Sequence, residues 1–146
     1  MDRHVGGGAT VIALSLAIPG EAKTPQGAGA LFAWAVGELV AAFPGASLLH
    51  ASSDALGPFE LWAAREAPAE VKRRCLAIEA SRPAARLVDL DVYSPDGASI
   101  DRASLQLPPR ACLCCEQPAR ECIRVARHGF PEIVTRAREL LSDVTA

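Results

Sequence analysis

From Arg86 to Ser94 the chain reads RLVDLDVYS, and this alternation leaves it few options. Successive side chains of a strand leave opposite faces. Val88, Leu90 and Val92 therefore point one way, and Leu87, Asp89, Asp91 and Tyr93 the other. One face belongs against an apolar core. The other carries two carboxylates, two residue rises apart. Pro95-Asp96-Gly97 is a turn signal, and Ser99 to Arg102 supplies a return strand for a hairpin. A sheet is thus required, and the rest of the chain must cover it.

The rest reads as interleaved strands and helices. Val11 to Ile18 is rich in β-branched residues and stops at Pro19-Gly20, which predicts a strand. Thr24-Pro25 has the form of an N-cap with proline at the first helical position. Ala28 to Phe43 follows at helical spacing and ends at Pro44-Gly45. Ala46 to Ala51 and Phe59 to Ala64, separated by the turn signal Gly57-Pro58, are two further strands. A helix is expected from Ala69 to Ala80, with Val71, Cys75 and Ile78 on one face, broken by Ser81-Arg82-Pro83. A last amphipathic helix is expected from Pro131 to Leu141. The expected fold is α+β (or α/β): one domain over 1–146, with a mixed sheet and flanking helices. Residues 11–107 form its core, and 108–146 add a Cys/His-rich segment and the terminal helix. The D-x-D strand makes the sheet nucleotidyltransferase-like by analogy.

Composition removes several function classes. A chain of 146 residues, half of them hydrophobic, is long enough for one core. Only 5% are aromatic, and the net charge is −2, which argues against a nucleic-acid binder. No apolar run approaches the roughly eighteen residues of a membrane span. MDRHVGGGATVIALSLAIPGEA faintly resembles a secretory signal. Its apolar stretch is short and Asp2 accompanies Arg3, so a first core strand and a cytoplasmic location are expected.

Two constellations can carry chemistry. Asp89 and Asp91 leave one face of a strand, where paired carboxylates repel unless a cation or base lies between them. Mg²⁺ takes one or two carboxylates together with substrate phosphates, so the pair suits phosphoryl or nucleotidyl transfer. The plainer reading is a solvated strand face near a turn. The second constellation is CLCCEQPARECIRVARH, with four of the five cysteines in seventeen residues. Cys112, Cys115, Cys122 and His128 are spaced C-x2-C-x6-C-x5-H, which matches a structural Cys₃His zinc set, with Cys114 a bystander. The rival is a set of reduced thiols, some of them buried. Arginines crowd this stretch: Arg110, Arg120, Arg124, Arg127, Arg136 and Arg138 face only Glu116, Glu121 and Glu132. Such a patch can hold phosphates, although Arg136 and Arg138 read as a solvated helical face.

RLVDLDVYSPDG and LPPRACLCCEQPARECIRVARH together resemble the citrate lyase holo-acyl-carrier-protein synthase family, also called apo-citrate lyase phosphoribosyl-dephospho-CoA transferase. The matching elements are R-L-x-D-x-D-V, the P-D/E-G turn, L-P-P-R-x-C-L-x-C and A-x-x-C-x-R-x-x-x-H. IPGEAK is similar to that family's P-G-P-x-K, LGPFELWAA to its T-G-P-E segment, and Lys72 to a lysine before the acidic strand. The likeness runs from about residue 11 to 144.

The resemblance implies a transferase. It attaches the phosphoribosyl-dephospho-CoA prosthetic group, from triphosphoribosyl-dephospho-CoA, to a serine of the citrate lyase acyl-carrier subunit, and pyrophosphate leaves. It implies Mg²⁺ at Asp89 and Asp91, and phosphate contacts from Lys23, Lys72, Arg86, Arg110 and Arg124. Neither nucleic acid nor membrane is an implied partner. Two departures stand out. Where the family has S-H-P-L-G-R-L this chain has SRPAARL, so Arg82 replaces a histidine and Ala85 a glycine. Arg82 can bind phosphate but cannot serve as a base near neutral pH. Ala85 narrows any approach of backbone to phosphate. Members also carry a helical lead before the first strand. The alternative is a diverged, catalytically inactive, zinc-braced module that binds the carrier protein.

Overall fold

The structure is a computed structural model and describes residues 8–145. Asp2 and Arg3, weighed above as part of a signal, lie outside the described residues. The elements in chain order begin with β1 (Thr10–Leu16), α1 (Ala28–Ala42), β2 (Ser47–Asp54), β3 (Gly57–Ala64) and α2 (Pro68–Glu79). A 3-10 turn (Pro83–Leu87) leads into β4 (Val88–Tyr93) and β5 (Ser99–Ile100). A second 3-10 turn (Ala103–Leu105), α3 (Ala119–Arg124) and α4 (Phe130–Thr145) complete the chain.

The sheet runs β2-β3-β1-β4-β5. Of the two classes expected, the fold is α+β. Where a mixed sheet was expected, all four pairings are antiparallel. The reason lies in the connections. β1-α1-β2 and β3-α2-β4 each skip one strand position, so each pair of parallel strands is separated by a strand running the other way. This is the split β-α-β-β-α-β arrangement, extended by β5 and the C-terminal segment.

The alternation in β4 works as the sequence requires. Val88, Leu90 and Val92 are buried and join Ile12 and Leu14 of β1. Leu31, Phe32, Ala35 and Leu39 of α1, Val71, Cys75 and Ile78 of α2, and Ala137, Leu140 and Leu141 of α4 close over them. Asp89, Asp91 and Tyr93 face the other side, opposite Ser15, Ala13 and Val11 of β1.

Two local expectations shift. Thr24-Pro25 does not open α1: Pro25 accepts a bond from the Ala28 N–H at 3.0 Å, and the helix begins after Gly27. Gly27 has φ +95°, and a Cβ there would lie 2.8 Å from the Leu141 carbonyl oxygen. The close approach of α4 therefore selects glycine and sets the start of α1. The helix α3 had no counterpart in the sequence reading.

Candidate active site

The site grows from a shortage of hydrogen bonds. β5 is only two residues long and pairs with Val92 and Tyr93, so the outer edge of β4 around Val88 and Leu90 lacks a strand. Unpaired backbone groups in a buried edge are costly. Charged side chains stand in for the missing strand. Lys72 of α2 donates to the Leu90 carbonyl at 3.1 Å, and Glu79 of α2 accepts the Leu90 N–H at 2.9 Å. Arg110 donates to the carbonyls of Arg86 and Val88 at 2.8 and 2.7 Å. Lys72 and Glu79 are both buried, and Arg102 pairs with Glu79 at 3.3 Å.

These groups surround the two carboxylates. A cleft of about 430 Å³ is lined by Lys72, Asp89, Asp91, Arg102, Arg110 and Arg120, among others. Arg110 Nη1 lies 3.6 Å from Asp89 Oδ1. Burial pushes the Asp91 carboxyl above its ordinary range, the neighbouring Asp89 charge adds to this, and Lys72 and Arg110 oppose it. Burial also raises Glu79, against the pull of Arg110, the Leu90 N–H, Lys72 and Arg102. Two half-buried carboxylates side by side on one strand face favour a shared cation. Their all-oxygen donor set fits Mg²⁺ held jointly with substrate phosphates.

A second cleft, of about 530 Å³, adjoins the first, and Glu79, Arg102 and Arg110 line both. Its walls also carry Arg82, Arg86 and Arg136. The Arg82 guanidinium stacks over Trp34 at 5.2 Å, and Arg86 donates to the Cys112 carbonyl at 3.1 Å. Ala85 is fully buried and lines neither cleft, so its methyl narrows neither. Lys23 donates to the Ile18 carbonyl at 3.0 Å, and Arg124 pairs with Glu121; both stand outside the two clefts. Arg136, read from the sequence as part of a solvated face, pairs with Glu139 at 3.5 Å on that face and also borders the second cleft. Arg102 was not singled out by the sequence at all.

The Cys/His segment gathers as its spacing foretold. Ligand atoms of Cys112, Cys115, Cys122 and His128 lie within 4.8 Å of one another. Cys115 Sγ is 3.5 Å from Cys122 Sγ and 3.4 Å from His128 Nε2. Thiolates around a tetrahedral zinc stand about 3.8 Å apart, so the set can hold a metal ion. His128 Nδ1 lies 3.3 Å from Glu132, the kind of carboxylate contact that orients a ligating histidine. Arg127 donates to Cys122 Sγ at 2.9 Å. The His128 contact draws the Cys115 thiol down to about 6, while burial chiefly pushes Cys122 up to about 11. Cys114, expected as a bystander, forms a second group with His128 and Glu132. The backbone ties this segment to Arg110, whose side chain reaches the sheet's edge: Ala119 N donates to Arg110 O at 2.8 Å.

Comparison with known proteins gives a family. Residues 4–144 match the family described as apo-citrate lyase phosphoribosyl-dephospho-CoA transferase. The chain is similar to the protein of that name from Escherichia coli O139:H28 (strain E24377A / ETEC), at 42% identity over 81 residues. That match covers 55% of this chain and 44% of the relative. The protein of the same name from Shigella boydii serotype 18 (strain CDC 3083-94 / BS512) matches to the same extent. The matched stretch thus spans under half the length of these curated relatives.

Proposed function

This chain belongs to the apo-citrate lyase phosphoribosyl-dephospho-CoA transferase family, and from that premise we propose that it transfers phosphoribosyl-dephospho-CoA to a serine of the citrate lyase acyl-carrier subunit. The donor is the triphosphoribosyl form. The serine Oγ attacks the phosphorus next to the ribose and forms a P–O bond. The bond from that phosphorus to the bridging oxygen of the next phosphate breaks. Pyrophosphate leaves with the electron pair, and the serine proton passes to a base. The observation that carries this reading is the pair Asp89 and Asp91, presented on one face of β4 to a cleft that Lys72, Arg102 and Arg110 also line.

Mg²⁺ held by Asp89 and Asp91 would offset phosphate charge as the transfer proceeds. The chain's own cations do the rest. Lys72 and Arg110 are anchored by backbone carbonyls, so their charge is fixed before the donor arrives. Arg82 and Arg86 extend phosphate binding into the adjoining cleft. Lys23 and Arg124 lie outside this assignment. Zinc at Cys112, Cys115, Cys122 and His128 is structural, since four protein ligands leave no open position. The setting is the cytoplasm. A non-catalytic carrier-binding module is the less favoured reading, because Asp89 and Asp91 are both retained and face a cleft.

The test is direct. Purified chain, Mg²⁺, triphosphoribosyl-dephospho-CoA and apo-carrier should give a mass increase on one carrier serine. Asp89→Ala and Asp91→Ala should each abolish it while carrier binding persists. No transfer by the unaltered chain would sink the proposal.

A further inference from the structure

The arginine cleft holds far more positive charge than the carboxylate cleft needs. Arg82, Arg86, Arg102, Arg110 and Arg136 line it, and Glu79 is the one acid among its lining residues. Glu79 is itself pushed toward its neutral form by burial. Five guanidinium groups around one space repel each other; the pairs Arg110–Asp89, Arg102–Glu79 and Arg136–Glu139 offset part of that repulsion, and an anion of high charge density in the space would offset the rest. All five have a partner of their own, and Arg136 pairs with Glu139 on its own helix. Arg82 lies on Trp34, Arg86 on the Cys112 carbonyl, Arg110 on two carbonyls, and Arg102 on Glu79. Stacking uses no N–H, and the other contacts use a minority of the five donors each guanidinium carries. The donors that remain are held in place for a ligand, and planar guanidinium forks suit phosphate oxygens. A volume of about 530 Å³ exceeds what a single phosphate needs.

We propose that this arginine cleft is the seat of the pyrophosphate leaving group, with Arg102 and Arg136 joining Arg82, Arg86 and Arg110 as its contacts. The inference rests on the transferase reading and gives it a direction. The phosphorus that is attacked lies beside Asp89 and Asp91. The two phosphates beyond it cross the boundary that Arg102 and Arg110 share and enter the cleft. When the P–O bond breaks, the added negative charge on the departing oxygen arises next to Arg110. Arg82, which stands where the family pattern has histidine, is here a leaving-group contact and handles no proton.

Titration calorimetry with inorganic pyrophosphate tests this on the full chain, without donor or carrier. Unaltered protein should bind it, more weakly as salt rises. Arg82→Ala and Arg136→Ala should each weaken binding by tenfold or more, and Arg73→Ala, on the exposed side of α2, should not change it. Arg136→Gln keeps the question open to test if loss of the Trp34 contact unfolds Arg82→Ala. Failure of the unaltered chain to bind pyrophosphate, or equal binding by the variants, would overturn the assignment. The two proposals fail separately. Pyrophosphate bound through these arginines without transfer to the carrier keeps the cleft and removes the transferase. Transfer with unchanged pyrophosphate affinity in the variants removes the cleft alone.

Discussion

Single residues in this site are held by opposing terms, and Glu79 shows which term wins. It bonds the Leu90 N–H and pairs with Arg102, yet burial still raises its pKa. A carboxyl with a raised folded pKa takes up more protons folded than unfolded, so stability falls as pH rises through that window. Its charged form therefore costs stability above the folded pKa, and the cost vanishes below the ordinary value near 4.5. Glu79→Gln keeps an acceptor for Leu90 and removes the charge. Its thermal midpoint at pH 7.5 should equal or exceed that of the unaltered protein, and the two should converge as pH drops toward 4.5. A lower midpoint at pH 7.5 would mean that the pull of Arg110, Lys72 and Arg102 outweighs burial. Cys75 is the simpler case. Burial pushes its thiol up to about 12, so native protein should leave Cys75 unmodified by a thiol reagent that labels it after unfolding.

At the scale of elements, β4 was legible because alternation is a local property. Its edge was not. The lack of a partner strand beyond Leu90 depends on how short β5 is, and the substitute partners come from α2 and from Arg110. Lys72 and Glu79 share one face of α2 at i and i+7, but no local pattern links either of them to Arg110. Arg110→Ala should strand two carbonyls, those of Arg86 and Val88. Partly exposed, the site admits some water, so the loss in chemical denaturation should be about 1–3 kcal/mol. A loss near zero would show that water replaces the guanidinium. The start of α1 was likewise hidden, because Gly27 answers to Leu141 on α4 and not to its neighbours. The Cys/His set was legible because ligand spacing is also local, and α3 escaped notice because six residues carry little periodicity. Six residues are too few to hold a helix unaided. Arg136 was legible only in part: it pairs with Glu139 on the helix surface, as a solvated face would, but what shares the cleft with it comes from Arg82 and Pro83, over fifty residues upstream.

Across the whole molecule, the cluster and the clefts are mechanically one object. Arg86 donates to the carbonyl of Cys112, Ala119 donates to the carbonyl of Arg110, and Ala111 bridges Pro118. Two of the cleft arginines are therefore held through the segment that carries the Cys/His cluster. The net charge of −2 conceals this division, since the cationic groups converge on one cleft while the chain as a whole is weakly acidic. If zinc braces the segment, its removal should be felt first in the clefts and only then in the fold. The purified chain should carry about one zinc. Stripping it with a strong chelator below the unfolding temperature should weaken pyrophosphate binding several-fold while the far-ultraviolet circular dichroism of the sheet and of α1 is retained. Cys115→Ser should do the same without chelator. The order of events is the decisive readout. Loss of secondary structure at the same chelator concentration as loss of pyrophosphate binding would make the metal a brace of the whole fold. Unchanged binding in a metal-free, folded chain would uncouple the two.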